Sequence, residues 1–377
     1  MKNLLLISAS LILAAANSAL AHDGPHDDET AGNTQINLLT HVRYLSGDSA
    51  WPSALPVLGA STEDRRGAWY SGSGIEWRQR WTPEMDTLLM AAYDEHEQRV
   101  VLDHAVIRYQ TESAQLALGR QSPVFADAGL SAWALPDLWL YTVLGDDHWH
   151  EDGLALRYTT GNLTGHAGVF NGRHGYPGAE SAMWTAGLAW QDGPWFVAGH
   201  AAYLPDVNRA FATDAHSGHS HLGQAVGCGK LTDCLAGKST LLRAKAGWLG
   251  ARYWLQSAWS WQRQDGQLDS TLGRVAYQGE LNSLALEGGA KITDTIKLAL
   301  RHEWMGIAHE LAGVNAAQIA SKNGIANSDE QPRQTGIRLS WQAHPVHLLA
   351  VELYQTRRNG ESNHLAMLQW QMNARLY

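Results

Sequence analysis

A two-residue rhythm of apolar and polar side chains constrains this chain more than any other feature. It recurs from residue 34 to the end. Successive side chains on a strand point to opposite faces, so such alternation marks a ribbon with one oily and one wet side. Gln35–Leu45 sets Ile36, Leu38, Val42 and Tyr44 against Asn37, His41 and Arg43. Ala68–Trp81 sets Trp69, Ile75, Trp77 and Trp81 against Tyr70, Glu76, Arg78 and Arg80. Leu154, Leu156 and Tyr158 oppose Arg157, and Leu242, Ala244, Ala246 and Trp248 oppose Arg243 and Lys245. The last run sets Ala366, Leu368, Trp370, Met372, Ala374 and Leu376 against Gln369, Gln371, Asn373 and Arg375, with Leu365 and Met367 as apolar intruders on the polar face.

The connections between these runs alternate short and long. Turn chemistry marks Thr82-Pro83-Glu84, Thr111-Glu112-Ser113, Thr160-Gly161-Asn162, Gln191-Asp192-Gly193-Pro194, Leu249-Gly250, Thr293-Asp294-Thr295 and Ala343-His344-Pro345 as tight turns. Longer connections are expected near 46–66, 122–151, 171–180, 204–238, 263–274, 307–332 and 357–363, with a brief one at Asp94–Gln98. Short turns at one end and long loops at the other are the signature of an outer-membrane barrel. The expected fold is therefore all-β, a transmembrane antiparallel β-barrel of about 16 strands over residues 34–377. Backbone amides in hydrocarbon must be paired within the protein, and a closed barrel leaves no edge unpaired.

The start of the chain reads as a signal peptide over residues 1–21. Lys2 supplies the positive start, Leu4–Ala16 the apolar run, and Ala19-Leu20-Ala21 the small-x-small cleavage site. An uncleaved anchor is the alternative, but the apolar run is shorter than a span needs. Residues 22–33 then form a His/Asp-rich segment expected in the periplasm. The net charge of −9 excludes a generally basic nucleic-acid binder. The chain has 17 Trp and 12 Tyr against 4 Phe, a balance that suits the boundary between lipid and water. The expected location is the bacterial outer membrane, surrounded by its lipid and lipopolysaccharide.

Turning the apolar faces to lipid turns a basic set inward. It comprises Arg43, Arg78, Arg80, Arg108, Arg157, Arg243, Lys245, Arg252, Lys297, Arg301, Arg338 and Arg375. Guanidinium groups around a water-filled lumen concentrate anions there, because low-dielectric walls focus the field. The same arginines can instead pair with acidic residues and brace the wall.

The third loop, Ser122–Glu151, holds Trp133, Leu135, Pro136, Trp139 and Tyr141, too apolar for a solvated tip. It is flanked by Leu116-Ala117-Leu118-Gly119-Arg120-Gln121 and Asp152-Gly153-Leu154-Ala155-Leu156-Arg157-Tyr158, then Gly161-Asn162 and Ala167-Gly168-Val169-Phe170-Asn171-Gly172. Over about residues 114–172 the chain resembles the phosphate-selective porin O and P family. The resemblance implies a homotrimer of 16-stranded barrels with arginine-rich linings and a third loop folded into the lumen. The chain departs from that family in the loop itself. Asp127, Asp137, Asp146, Asp147, His148, His150 and Glu151, with Asp152 just beyond, make an acidic constriction without a lysine to hold phosphate. Acids facing an arginine wall fit a general diffusion pore.

Two clusters stand apart. His216, His219 and His221 lie close together in the fifth loop, and imidazole is a ligand for zinc, nickel or copper. Cys228 and Cys234 can close that loop as a disulfide in an oxidising compartment, which leaves it a plain polar loop. No Gly-x-Ser-x-Gly, His-Glu-x-x-His or phosphate loop is present, so an enzyme is not expected. His302 and Glu303 are adjacent on a strand and should face opposite sides. The sequence thus points to a passive pore for small hydrophilic solutes, with anions favoured and no cofactor. The alternatives are a pore for divalent metal ions or their complexes, a barrel enzyme, and a structural barrel with a plugged lumen.

Overall fold

The computed structural model describes residues 34–47, 69–94, 99–123, 151–171, 181–211, 233–322, 331–358 and 360–376. The strands are β1 (Thr34–Gly47), β2 (Trp69–Arg80), β3 (Met85–Asp94), β4 (Arg99–Gln110), β5 (Ala114–Gln121), β6 (Glu151–Thr160), β7 (Leu163–Phe170) and β8 (Met183–Asp192). They continue as β9 (Trp195–Phe211), β10 (Asp233–Leu249), β11 (Tyr253–Ser270), β12 (Gly273–Lys291), β13 (Ile296–Ala312), β14 (Arg333–His344), β15 (His347–Arg358) and β16 (Glu361–Arg375). One short helix, α1 (Ala316–Lys322), follows β13. Each strand pairs with its sequence neighbours, and β1 closes the sheet antiparallel onto β16. The result is a closed 16-stranded antiparallel barrel.

Register explains why the outside is oily. Rungs running across β13–β16 align Leu298, Leu339, Val351 and Leu368, then Leu300, Ile337, Leu353 and Ala366, all on the outer face. Ile75, Leu89, Ile107, Leu118, Leu154, Leu188, Val197, Leu255 and Leu286 extend this exposed belt around the barrel. Exposed apolar surface of that extent is stable only against hydrocarbon, so the barrel spans a membrane. Trp81, Trp190, Trp195 and Trp341 stand exposed beside the short turns, where aromatic rings meet the interface.

All seven expected tight turns fall between strands, at 81–84, 111–113, 161–162, 193–194, 250–252, 292–295 and 345–346. Gly161 and Gly193 adopt φ of 55° and 53°, a left-handed backbone that a side chain would strain.

Several expected loops are shorter than the sequence suggests. Residues 263–274 are mostly strand, because β11 and β12 continue to a two-residue turn at 271–272. Their outer face turns polar above the belt, where Arg263 bonds Asp265 and Arg274 bonds Asp269. Alternation between oil and water gives way there to water on the outside, so the segment reads as a loop. Likewise β15 and β16 pair as far as Arg358 and Glu361, which leaves two residues of the expected connection at 357–363. Within the expected loop at 307–332, β13 runs on to Ala312 and α1 packs Ile319 and Ala320 into a buried cluster with Val275 and Leu311. Residues 1–33 and 124–150 lie outside the described residues, so the signal peptide, the His/Asp-rich segment and the path of the third loop are not placed.

Candidate lumenal site

The inner wall is built by the side chains that the belt leaves behind. Following one rung across neighbouring strands joins Gln115, Arg157, His166, Gly187, His200, Arg243, Ser260 and Ser283. Side chains opposite one another on adjacent strands sit about 4.5–5.5 Å apart at Cβ, so Arg157, His166, His200 and Arg243 form a basic row. Lys245, the next inward residue on β10, extends it, with its ammonium 5.3 Å from the centre of the Phe196 ring. No carboxylate belongs to this rung.

Gly187 makes the row possible. A Cβ there would lie 2.6 Å from His200 Nδ1, so glycine alone leaves space for the imidazole to lie across toward His166. The two rings stand 6.0 Å apart, tilted by 36°. His200 is 7% exposed, and its Nδ1 is buried without a hydrogen-bond partner. The row therefore contains a buried imidazole nitrogen beside basic side chains.

On the far wall the arginines are as buried as Arg243, and acids stand beside them. Arg301 pairs with Glu303 at 2.5 Å, and both are buried. Glu287 faces Arg301 in register and accepts from Trp254 Nε1 at 3.0 Å and Gln256 Nε2 at 2.9 Å. Arg338 lies opposite Glu352 with 3.3 Å between charges, and the Tyr354 hydroxyl donates to the same carboxylate. On the third side, Asp86 accepts from Arg78 Nη2 and Arg108 Nε, each at 2.7 Å. Four arginines of the expected inward set are thus bracing partners of acids on the wall.

The remaining candidates divide. Lys297 occupies an inward position near the short-turn end, facing Lys291 and Ser340 in register. Arg80 and Arg375 are exposed at the last residues of β2 and β16. Arg43 has an inward backbone position on β1, but its side chain is outside the described residues. Arg252 does not belong to the wall. The turn after Leu249 is longer than Leu249-Gly250, so Arg252 falls in it, exposed, with its guanidinium 5.5 Å from the centre of the Tyr253 ring.

Asp127, Asp137, Asp146, Asp147, His148 and His150 lie outside the described residues, as do His216, His219, His221 and Cys228. Cys234, near the start of β10, is disulfide-bonded. Among the described residues no group of three or more metal-binding side chains assembles. His302 and Glu303 face opposite sides: His302 meets the Thr335 hydroxyl at 2.6 Å on the outer face, while Glu303 holds Arg301 inside. Sequence reasoning did not single out His166, His200, Asp86, Glu287 or Glu352. Each sits at an inward position of the alternation, but only cross-strand register shows which basic groups they join.

No family model matches the chain, and no curated protein does. Solved structures do. OmpT of Vibrio cholerae in its trimer form aligns with a TM-score of 0.60 at 9% identity, covering 91% of this chain and 100% of that one. An anion-selective porin from Comamonas acidovorans aligns with a TM-score of 0.54 at 11% identity, covering 90% and 99%. Salmonella typhi OmpF, in complex with daunomycin, aligns with a TM-score of 0.55 at 9% identity, covering 90% and 97%. The fold is that of the outer-membrane porins. A porin fold places short turns toward the periplasm and the longer connections outside the cell. The basic row then lies on the lumen wall between the two openings.

Proposed function

We propose that this protein is an outer-membrane channel for passive diffusion of small hydrophilic solutes, with a preference for anions. The observation that carries the preference is the rung Arg157–His166–His200–Arg243, extended by Lys245, with no carboxylate among its wall positions. The other inward arginines add little field of their own, since Asp86, Glu303 and Glu352 lie within ion-pair distance of them. Net positive charge on one side of a narrow aqueous lumen draws anions along that side. The similarity to an anion-selective porin supports this reading at the level of fold. The finer resemblance to the phosphate-selective porins, the homotrimer it implies, and an acidic third loop facing the basic row belong to the same proposal. Arginine forks would suit phosphate or carboxylate oxygens equally.

Liposome swelling tests it. Vesicles carrying the purified barrel should swell in a neutral pentose and swell faster in an organic anion of the same size. Absence of swelling in both would point to a plugged barrel. Equal or slower swelling in the anion would remove the preference.

A further inference from the structure

We infer that the outer face of β13–β16 is a docking surface for the phosphate groups of lipid A in the outer leaflet. Above the last apolar rung, the register places His302, Thr335, Gln355 and His364 side by side. The next rung outward holds Trp304, Arg333, Arg357 and Ser362. This surface therefore passes from hydrocarbon-facing side chains to an aromatic and then to two guanidinium groups, on the end of the barrel away from the short turns.

The pair of arginines is the unusual feature. Arg333 and Arg357 stand directly opposite each other on neighbouring strands, both exposed. Like charges directly opposite on a sheet repel and destabilise it. Among the described residues neither makes an ion pair, and neither rung contains an acid. At comparable height on β11 the outward Arg263 does have an acid, Asp265 at 3.1 Å, and further out, beside the 271–272 turn, Arg274 pairs with Asp269. An anion held between Arg333 and Arg357 removes the repulsion, and two forks side by side suit a phosphate. Phosphate at the depth where the apolar belt ends, on the outer side, is headgroup phosphate. The Trp304 ring beside Arg333 and the exposed Ile337 and Leu353 below offer surface for the acyl chains of the same molecule.

The folded protein in detergent is mixed with lipid A bearing both phosphates, or with its dephosphorylated form, and bound lipid is counted by native mass spectrometry. The wild type should hold the phosphorylated lipid and lose it when the phosphates are absent. Each charge near a membrane surface changes binding about fivefold, so R333Q/R357Q should weaken it roughly thirtyfold. Arg357→Glu replaces the like-charged pair with an internal ion pair to Arg333, and it should abolish binding while the barrel stays heat-stable. Channel conductance should not change in either variant, since both side chains face outward. Equal binding of both lipid forms, or wild-type binding by folded variants, would overturn the inference. So would displacement of the lipid by millimolar inorganic phosphate, which would make this a site for the free anion.

Discussion

The two halves of the lumen use the same residue type to opposite ends. On β12–β15, Arg301 and Arg338 are buried beside Glu303 and Glu352, with Glu287 facing the first of them. The wall there sets a carboxylate beside each of these two arginines, so this wall is a brace. On β6–β10, Arg157 and Arg243 share a rung with His166 and His200, and the wall supplies no acid to that rung. The comparison teaches that counting inward arginines overstates the lumen's positive field. Geometry across strands decides which arginine has an acid of the wall opposite it.

The largest effect should come from breaking the brace. Glu352→Gln leaves Arg338 buried opposite a neutral side chain, and stranding one member of a buried pair costs roughly 3–5 kcal/mol. Chemical unfolding in detergent should show that loss, with ion selectivity little changed; an undiminished midpoint would mean the pair is not structural. Next in size is the lipid face of the same wall. Leu339→Arg puts a charge in the middle of the belt and should cost about 2–4 kcal/mol by the same assay. An arginine tolerated there without loss would contradict the assigned facing.

The basic wall should respond in the opposite way. Replacing Arg157 and Arg243 with Glu should reverse or erase the anion preference in planar bilayers. Unchanged selectivity would show that the rung does not meet the permeating ion. The smallest effect is expected at the gap in the rung. Gly187→Ala pushes a methyl group against His200 Nδ1 and should shift conductance modestly, while His200→Ala in the same background should suppress that shift. If the shift persists without the imidazole, crowding of His200 is not its cause.

The barrel was legible because bilayer physics writes itself into the chain with a period of two. Val351, Leu353 and Leu368 alternate with Glu352 and Gln369, and the turns announce themselves through residues such as Gly161 and Gly193. What the pattern hides is everything that depends on cross-strand register. Arg301 and Arg243 look alike in sequence, yet one meets Glu303 and the other His200. The extensions of β11 and β12 were also hidden, because outside the membrane both strand faces can be polar, as at Arg263–Asp265. Leu365 and Met367 broke the alternation for a related reason: they are buried on the inner face, in an apolar cluster that includes Tyr354 and Leu281.

The sign of the lumen's field is the claim on which the functional account rests. It is read most directly from the reversal potential of the wild-type channel in a planar bilayer with potassium chloride more concentrated on one side. The basic rung predicts a potential of the sign set by chloride moving more readily than potassium. A potential of the opposite sign would contradict it.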